Sequence, residues 1–399
     1  MTQQTIPPPL PVHRDDPVHP PREYATLRLA EPVSRRRWPN GVDAWLVSGY
    51  EQVRRVLADP RTSVDRASSP PPSLGEGRRP AVLLPKSLIG MDPPEHTRWR
   101  DLVIRELTVA KARALRPRVE QIVDEHLDRL AGQGSPADLV AGFTLPVPSL
   151  VICELLGVPA ADRPLFTGQV AVRGRVGSTP EEVDRATIEL TDYIRTLVAA
   201  KRAAPGDDTL SRLTAAELDG RPLPDEELVS TAFLLLVAGH DTTANMIALS
   251  TVTLLSNPEL IPATQDPTRV DALVEELLRF HAVIQYGVVR RATADIDLDG
   301  HRIAAGDWLV CSLASANRDE AAFADPDGLK LDRRGRPQLS FGDGPHQCAG
   351  QNLARLELAV ALSRLFARFP GLALARPLDE LPFRADMFVY GLHELPVRW

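Results

Sequence analysis

A single cysteine stands in a glycine-rich loop, in the segment Phe-Gly-Asp-Gly-Pro-His-Gln-Cys-Ala-Gly at residues 341–350. Its three glycines let the backbone turn sharply and approach a flat ligand closely, because no Cβ stands in the way. A helical pattern begins near Gly350, and the N-terminus of that helix brings free N–H groups and a positive dipole near Cys348. These features favour the thiolate, which is the form that binds metals. Cys348 is therefore a candidate metal ligand.

The alternative for Cys348 is a small buried side chain without chemistry, the common fate of an isolated cysteine. That description suits the other two cysteines, because Cys153 lies in an apolar run and Cys311 in a predicted strand. Three cysteines in 399 residues cannot build a disulfide framework. A reducing cytoplasm is the expected compartment.

A second group of polar residues interrupts the longest apolar helical pattern, residues 225–255, with Ala-Gly-His-Asp-Thr-Thr at 238–243. The glycine costs about 1 kcal/mol in a helix interior, and buried Asp and Thr need partners. If this helix crosses a cofactor, small Ala238 and Gly239 leave space for dioxygen, while Thr242 can hold a water and Asp241 can relay protons. The alternative is that Gly239 stops one helix and Asp241-Thr242 caps another.

Two further pairs have helical spacing. Glu276 and Arg279 stand at i and i+3 and attract each other, although a solvated surface pair would have the same spacing. His96 and Arg100 stand at i and i+4, so one helical face can present both to a single anion. A solvated charged face is the alternative for that pair.

The cysteine segment resembles the haem-ligand signature of the cytochrome P-450 family, Phe-Gly-x-Gly-x-His-x-Cys-x-Gly, at every fixed position. The resemblance implies haem b with Cys348 as its axial ligand. It also implies that Phe341 shields the sulfur, that His346 lies near a haem propionate, and that Gly342 and Gly350 belong to the cofactor-binding loop. In oxygen-activating haem proteins a thiolate ligand favours O–O cleavage.

Other elements resemble the family in the same order along the chain. Residues 238–242 are similar to its (Ala/Gly)-Gly-x-(Asp/Glu)-Thr element, which implies catalytic roles for Asp241 and Thr242 and cofactor contact for Ala238 and Gly239. Glu276 and Arg279 are similar to its Glu-x-x-Arg pair, completed by an arginine that we place at Arg333. The implied role of this trio is to fix the core around the cysteine loop.

The family's propionate-binding residues have counterparts here. His96 and Arg100 are similar to its His-x-x-x-Arg element. Arg290 resembles the other propionate arginine, although its neighbour Arg291 leaves an ambiguity of one residue.

The resemblance implies a mainly α fold with small β-sheets, a triangular helical prism with an α-rich lobe and a smaller β-containing lobe. The patterns predict helices near 49–58, 95–107, 111–130, 179–202, 225–255, 270–280 and 350–369, and strands at 45–47, 296–298, 301–303 and 308–313, with Asp299-Gly300 as a hairpin turn. We expect a poorly ordered proline-rich arm at 1–20 and a single domain at 21–399. The proline-rich stretch 61–94 is a candidate substrate-covering loop.

The implied function is insertion of one oxygen atom from O2 into a lipophilic small molecule, as in the actinobacterial branch that oxidises antibiotics, terpenoids and foreign compounds. Ala349 departs from the leucine common in that branch. Electrons would come from NAD(P)H through a reductase and a ferredoxin, because the chain has no flavin or iron–sulfur motif. Since ferredoxins are acidic, we expect a basic patch that includes Arg98, Arg105 and Arg355.

Two other classes of function stay open at this point. A haem-thiolate peroxygenase or isomerase would need no electron donor, and a haem-binding sensor or scaffold would need no catalysis. The acid-alcohol pair Asp241-Thr242, which suits protonation of dioxygen, disfavours both.

Several residues are expected to contact the substrate, and their apolar character favours a lipophilic ligand. They are Val82, Leu83, Ile89, Val237, Val288, Phe388 and Val389, with the helical region 166–176 nearby. A net charge of −7 argues against nucleic acid or anionic lipid as a partner. The N-terminal sequence has no apolar core of a signal peptide, and we expect a monomer that does not enter a membrane.

Overall fold

The computed structural model of the chain describes residues 6–65, 71–72, 87–174, 178–385 and 387–399. The helices are α1 Glu23–Ala30, α2 Tyr50–Ala58, α3 Glu95–Ile104, α4 Val109–Gln133, α5 Pro146–Leu156, α6 Arg163–Gly174, α7 Pro180–Ala203, α8 Thr209–Thr214, α9 Asp225–Ser256, α10 Val270–His281, α11 Leu313–Ala316 and α12 Gln351–Arg368. The strands are β1 Val33–Arg37, β2 Asp43–Val47, β3 Thr62–Ser63, β4 Ala137–Asp138, β5 Glu217–Leu218, β6 Arg221–Pro222, β7 Val288–Ala292, β8 Ile296–Leu298, β9 His301–Ile303, β10 Trp308–Cys311, β11 Ala373–Leu374 and β12 Pro396–Arg398. Val82, Leu83 and most of the expected covering loop lie outside the described residues.

The chain forms two compact units. We call one the sheet unit, which consists of Met1–Arg79, Ala272–Cys348 and Arg384–Tyr390. The other is the helical unit, which consists of Pro80–Asp271, Ala349–Phe383 and Gly391–Trp399.

The sheet unit is built on a five-stranded sheet with the strand order β1-β2-β10-β7-β3. Its β2 and β10 are parallel neighbours, whereas the other pairs are antiparallel. Successive residues Trp45, Leu46 and Val47 of β2 are all buried, because both faces of this interior strand are covered. The β8-β9 hairpin forms as the sequence predicts, and Asp299 and Gly300 both have positive φ, at 53° and 82°, as a tight hairpin turn requires.

The proline-rich arm contributes to the sheet unit from residue 9 onward. Pro9 forms a parallel bridge with Arg37, and Leu10 is buried. The Arg14 guanidinium lies 3.7 Å above the Tyr390 ring, and the Tyr390 hydroxyl donates to the Pro17 carbonyl at 2.6 Å. A buried apolar side chain and a cation–π contact thus connect these residues to the sheet unit. The flexibility expected for residues 1–20 stays a prediction.

The helical unit surrounds α9, which packs against α5, α7 and α12. By length and composition α9 could cross a membrane, but most of its apolar stretch is buried inside the protein, as the sequence predicts for a core helix. The helix is continuous from Asp225 to Ser256, so the alternative of two helices separated at Gly239 is wrong. Three acidic residues in its first turn interact favourably with the positive end of the helix dipole.

Some predicted boundaries differ from the structure. The strand predicted over 308–313 ends at Cys311, because the Ser312 side chain accepts a hydrogen bond from the Ser315 N–H and caps a short helix. The sequence does not predict α5, because Pro146 and Pro148 interrupt the helical pattern of its apolar residues. Both prolines lie in its first turn, where no N–H is missed, and Gly157 ends it with φ +66°.

Replacing Gly287 by alanine should destabilise the protein by about 2 kcal/mol or more. Gly287 has φ +81°, and an added Cβ would lie 2.5 Å from the Cys311 carbonyl oxygen on the neighbouring strand. Gly300→Ala is the matched control, because its φ is +82° with nothing within 4 Å of the added Cβ. Thermal unfolding should show the larger loss for Gly287→Ala, and equal losses would contradict the close approach.

Candidate active site

The cysteine loop is a compact turn at the end of the sheet unit. The Cys348 N–H donates to the Phe341 carbonyl at 2.8 Å, which closes the loop. Gly342 and Gly344 have φ of +72° and +71°, conformations that favour glycine. A Cβ on Gly344 would lie 2.5 Å from the Leu57 carbonyl oxygen, so the loop is seated directly on the end of α2. The glycines of the motif therefore fix the course of the backbone that carries the thiol.

The thiols of the chain differ in access. Cys348 is exposed, whereas Cys153 and Cys311 are buried. Burial raises the pKa of both buried thiols to about 12, so they stay neutral and inert. Cys348 alone among the three can meet an external ligand, and the other two are core residues as predicted.

The two residues that precede the cysteine loop, Leu339 and Ser340, are held by one asparagine. Asn317 accepts the Leu339 N–H at 2.7 Å and donates to the Ser340 hydroxyl at 2.8 Å. The Ser340 hydroxyl donates in turn to the Leu278 carbonyl of α10 at 2.6 Å. The Asn317 carbonyl accepts from Arg279 at 2.9 Å. A continuous set of hydrogen bonds therefore joins Arg279 to the loop.

The hydrogen bonds that lead from Arg279 to the cysteine loop begin at a buried ion cluster. Arg279 donates to both carboxylate oxygens of Glu276 at 2.9 and 2.7 Å, and Arg333 donates to the same carboxylate at 2.8 Å. The Lys330 N–H adds a fourth hydrogen bond at 2.9 Å. The two guanidinium groups also donate to surrounding backbone carbonyls, including a shared bond to Gly328. The structure brings the predicted trio Glu276, Arg279 and Arg333 together, in buried surroundings and not on a solvated face.

The charge state of Glu276 follows from these contacts. Burial by itself would raise the pKa of this carboxyl, but the hydrogen bonds and charges of Arg279 and Arg333 outweigh burial and hold its pKa below the ordinary value. The carboxylate is therefore ionised throughout the neutral range, and the cluster keeps its pairing.

The polar motif of α9 makes its contacts within the helical unit. The Thr242 hydroxyl donates to the Ala238 carbonyl one turn earlier at 2.7 Å. The Asn245 amide donates to the Asp241 carbonyl at 2.8 Å and to its carboxylate at 3.0 Å. Ala238 is exposed on a helix that is otherwise largely buried, and Asp241 and Thr242 are half-buried. The motif thus presents a small residue and an acid-alcohol pair on an open face.

The opposite side of this turn of α9, formed by Gly239 and His240, packs against α5. His240 Nδ1 lies 2.5 Å from the Ser149 hydroxyl, and both residues are buried. A Cβ on Gly239 would lie 2.6 Å from the Ile152 side chain, so only glycine allows this approach without displacement. The motif's glycine therefore has a packing reason in addition to the space it leaves.

The predicted anion-binding residues lie on regular elements. His96 and Arg100 are one turn apart on α3, with His96 buried and Arg100 half-buried. Arg290 is a buried residue of β7, and Val288 projects from the same face of that strand. Arg291 projects from the other face of β7. The choice between Arg290 and Arg291 as the propionate arginine stays a prediction. His346 is half-buried in the cysteine loop.

The described substrate candidates are apolar and differ in exposure. Ile89 is 49% exposed and Phe388 53% exposed. Val237 and Val288 are half-buried, and Val389 is buried. Ile89 belongs to the helical unit, whereas Phe388 belongs to the sheet unit.

The donor set fits a haem. In the described part of the chain, no cluster of three His, Cys, Asp or Glu side chains could hold a metal by itself. A prosthetic group that brings its own four nitrogen ligands needs only one protein ligand, and the exposed Cys348 thiol provides it. The cationic side chains of Arg100 and Arg290 suit the propionates.

Sequence reasoning missed three polar residues that support these sites. Asn245, Ser149 and Gln285 are all buried. Each is a lone polar residue in an apolar run, and such a residue needs a partner when buried. That signal predicts a hydrogen bond but does not identify the partner, because the partners of Ser149 and Gln285 are distant in sequence.

Comparison with known proteins identifies the family. The model of the family "Cytochrome P450" matches residues 161–373, more than half of the chain. The vitamin D3 dihydroxylase of Streptomyces griseolus is 42% identical over 400 residues, which cover 100% of this chain and 98% of that protein. The 20-oxo-5-O-mycaminosyltylactone 23-monooxygenase of Streptomyces fradiae is 42% identical over 392 residues, which cover 98% and 92%.

The fold agrees with the sequence match. The structure of Streptomyces peucetius CYP105P2 in complex with a biphenyl compound aligns with a TM-score of 0.91 at 44% identity, covering 99% of this chain and 100% of that one. The fold is therefore the haem-thiolate monooxygenase fold that the cysteine signature implies. The chain belongs to the cytochrome P450 family and is an oxidoreductase of the monooxygenase class.

Replacing Glu276 by glutamine should destabilise the protein by about 3–5 kcal/mol, because the buried guanidinium of Arg279 and the largely buried guanidinium of Arg333 would lose their shared counter-charge. Glu226→Gln is the matched control, since the carboxylate of Glu226 pairs with Arg195 but its side chain is 70% exposed; its loss should be small. Denaturant unfolding of both variants measures the difference. Similar losses for the two would contradict a special role for the buried cluster.

The contribution of Glu276 should also depend on pH. Because its pKa is lower in the folded protein than in the unfolded chain, its stabilisation is complete above about pH 4.3 and is lost as the pH falls through the folded pKa. Wild type and Glu276→Gln should therefore converge in stability at acid pH. A constant difference down to that range would contradict the ionised state of the carboxyl.

Proposed function

We propose that the chain binds haem b through Cys348 and inserts one oxygen atom from O2 into a lipophilic small molecule. The observation that carries the proposal is the exposed thiol of Cys348 on a loop that glycine geometry and the Glu276-Arg279-Asn317 hydrogen bonds hold in place. When bound, the haem supplies oxygen activation, which a thiolate ligand favours.

The residues of the chain would hold the haem in three ways. Cys348 is the iron ligand, and Phe341 with Gly342 and Gly350 forms the backbone around it. His96, Arg100, Arg290 and His346 bind the propionates through charge-assisted hydrogen bonds. Ala238 and Gly239 of α9 leave space at the face where dioxygen enters.

Proton delivery would fall to Asp241 and Thr242. Thr242 holds a water through its hydroxyl oxygen. That hydroxyl donates to the carbonyl of exposed Ala238, one turn earlier on α9. Asp241 is half-buried, so it can exchange protons with solvent and pass them to that water. Asn245 supports this role, because its donation to the Asp241 carboxylate limits the rotation of that side chain.

The substrate class is proposed from chemistry and relatives together. The relatives act, by their names, on vitamin D3 and on 20-oxo-5-O-mycaminosyltylactone. Val237, Val288, Phe388 and Val389 offer apolar surface of the kind that binds such molecules. Val82 and Leu83 stay predictions outside the described residues.

An external electron donor is the proposed partner. The basic candidates are on one unit: the Asn352 amide of α12 donates to the Leu107 carbonyl just beyond α3 at 3.0 Å, which brings the regions of Arg105 and Arg355 together. Arg105 is exposed, whereas Arg98 pairs with Asp219 at 2.6 Å. We infer that an acidic ferredoxin, reduced by NAD(P)H through its reductase, binds a basic patch that includes Arg98, Arg105 and Arg355. The enzyme acts as a monomer in the reducing cytoplasm.

Cys348→Ser should abolish the red-shifted Soret band of the reduced carbonyl complex, because a hydroxyl does not provide thiolate ligation. Cys153→Ala and Cys311→Ala are matched controls that remove the buried thiols, and both should keep the band. A visible spectrum of each reduced, carbonyl-treated protein gives the result. The central assignment fails if the wild type lacks the band or if Cys348→Ser retains it.

Thr242→Ala should uncouple turnover, so that NAD(P)H consumption continues while product per NAD(P)H falls severalfold and peroxide accumulates. The neighbouring Thr243→Ala is the control, because Thr243 is buried on another face of α9. Product and peroxide are quantified against NAD(P)H consumed. An unchanged ratio for Thr242→Ala, or wild-type turnover that proceeds better with peroxide than with the electron donor, would favour the peroxygenase alternative.

A further inference from the structure

A short returning segment of the sheet unit, residues 384–385 and 387–390, runs beside the chain that follows α10. We call these residues the returning segment. Val389 forms an antiparallel bridge with Ile284, and the Gln285 N–H donates to the Phe388 carbonyl at 3.2 Å. The Tyr390 N–H donates to the Val283 carbonyl at 2.8 Å. The two stretches therefore pair as a short ladder that ends at Phe388.

Beyond the ladder, the side chains of Gln285 and Tyr286 donate to the backbone of the segment. The Gln285 amide nitrogen lies 3.2 Å from the Arg384 carbonyl, 3.2 Å from the Ala385 carbonyl and 2.5 Å from the Met387 carbonyl. Gln285 is buried, and its amide is the donor that all three carbonyls share. The Ala385 carbonyl also accepts from the Tyr286 hydroxyl, and the Arg384 carbonyl accepts from the Met387 N–H at 3.3 Å. Converging carbonyls repel one another unless a donor lies between them, and a buried acceptor without a donor is costly.

The far end of the returning segment is fixed independently. The Tyr390 hydroxyl donates to the Pro17 carbonyl, and the Arg14 guanidinium stacks on the Tyr390 ring. Burial raises the pKa of Tyr390 to about 12, so the phenol remains a donor across the physiological range. Contacts of Gln285 and Tyr286 at one end, and of Tyr390 at the other, thus hold the backbone on both sides of Phe388.

This arrangement holds a large apolar side chain outward. Phe388 is 53% exposed, while its neighbours Val389 and Tyr390 are buried. An exposed phenyl ring on a backbone fixed at both ends is ready to bury apolar surface against a ligand without a cost in ordering the loop.

We propose that Gln285 is a specificity-determining positioning residue, which sets the place of Phe388 against bulky apolar ligands through the carbonyls of the returning segment. The inference rests on the proposed function, in which Phe388 contacts the substrate. Gln285 does not touch the ligand. Its substitution should therefore alter the binding of large ligands and leave small ligands of the iron unaffected.

Two azoles distinguish an effect on large ligands from an effect on small ones in the haem-loaded enzyme, because each binds the iron through an imidazole ring. Imidazole is small, whereas clotrimazole carries a trityl group. Gln285→Glu replaces the donor by an acceptor, so clotrimazole should bind at least tenfold more weakly while the Kd of imidazole changes less than twofold. Gln285→Met, which is neutral and of similar length, should weaken clotrimazole about threefold. Spectral titration measures each Kd.

Phe388→Ala tests whether the effect passes through the phenyl ring. It should weaken clotrimazole by itself, and adding Gln285→Glu should then change the Kd less than twofold, because the two substitutions share one route. Gln265→Glu is the control for the chemical change, since the Gln265 amide donates to the Ser363 carbonyl at 2.7 Å in the helical unit. It should alter neither azole.

Each other outcome overturns the inference. An equal change in the Kd of both azoles would mean that Gln285 has only a general structural role. Additive effects of Gln285→Glu and Phe388→Ala would mean that Gln285 acts on another part of the site. Loss of haem in both Gln285 variants would mean that the residue is needed for folding. Unchanged clotrimazole binding in haem-loaded variants would remove its role outright. A wild type without the thiolate band would instead count against the proposed function itself.

Discussion

One buried carboxylate, that of Glu276, holds together the part of the molecule that presents the cysteine. Two guanidinium groups cannot be buried near each other unless a negative charge lies between them, and Glu276 supplies it with both oxygens. Arg279 then has donors left for the Asn317 carbonyl, and Asn317 positions the two residues that lead into the loop. Hydrogen bonds thus connect the loop of the exposed Cys348 thiol to a largely buried ion cluster.

The α9 helix illustrates a different compromise. A helix buried on most of its surface should be uniformly apolar, yet this one includes His240, Asp241 and Asn245. Each has a polar partner: His240 contacts Ser149, and Asn245 donates to Asp241 one turn earlier. The polar groups are therefore accommodated by local pairing, and the helix remains unbroken where an open face is needed.

The sequence predicts the long elements well because their signals are local. The apolar period of α9, the Asp299-Gly300 turn and the glycines around Cys348 each depend on a few neighbouring residues. The Glu276-Arg279 pair is visible at helical spacing, but its burial is not, since the partner Arg333 and the accepting carbonyls come from a distant stretch. The roles of Gln285 and Ser149 escape prediction for the same reason. Prolines hide α5 from prediction, because Pro146 and Pro148 interrupt its helical pattern.

The discontinuity of the sheet unit has a consequence for synthesis of the protein. Trp45 of β2 pairs in register with Leu309 of β10, and Tyr390 meets Pro17 across 373 positions. A ribosome releases the N-terminal strands long before their neighbours exist, so β2 emerges with an unpaired edge and an apolar surface. The nascent chain must keep that edge from pairing with other chains until β10 and then the returning segment leave the exit tunnel. Completion of the sheet unit is therefore among the last events of folding, however early its first strands are made.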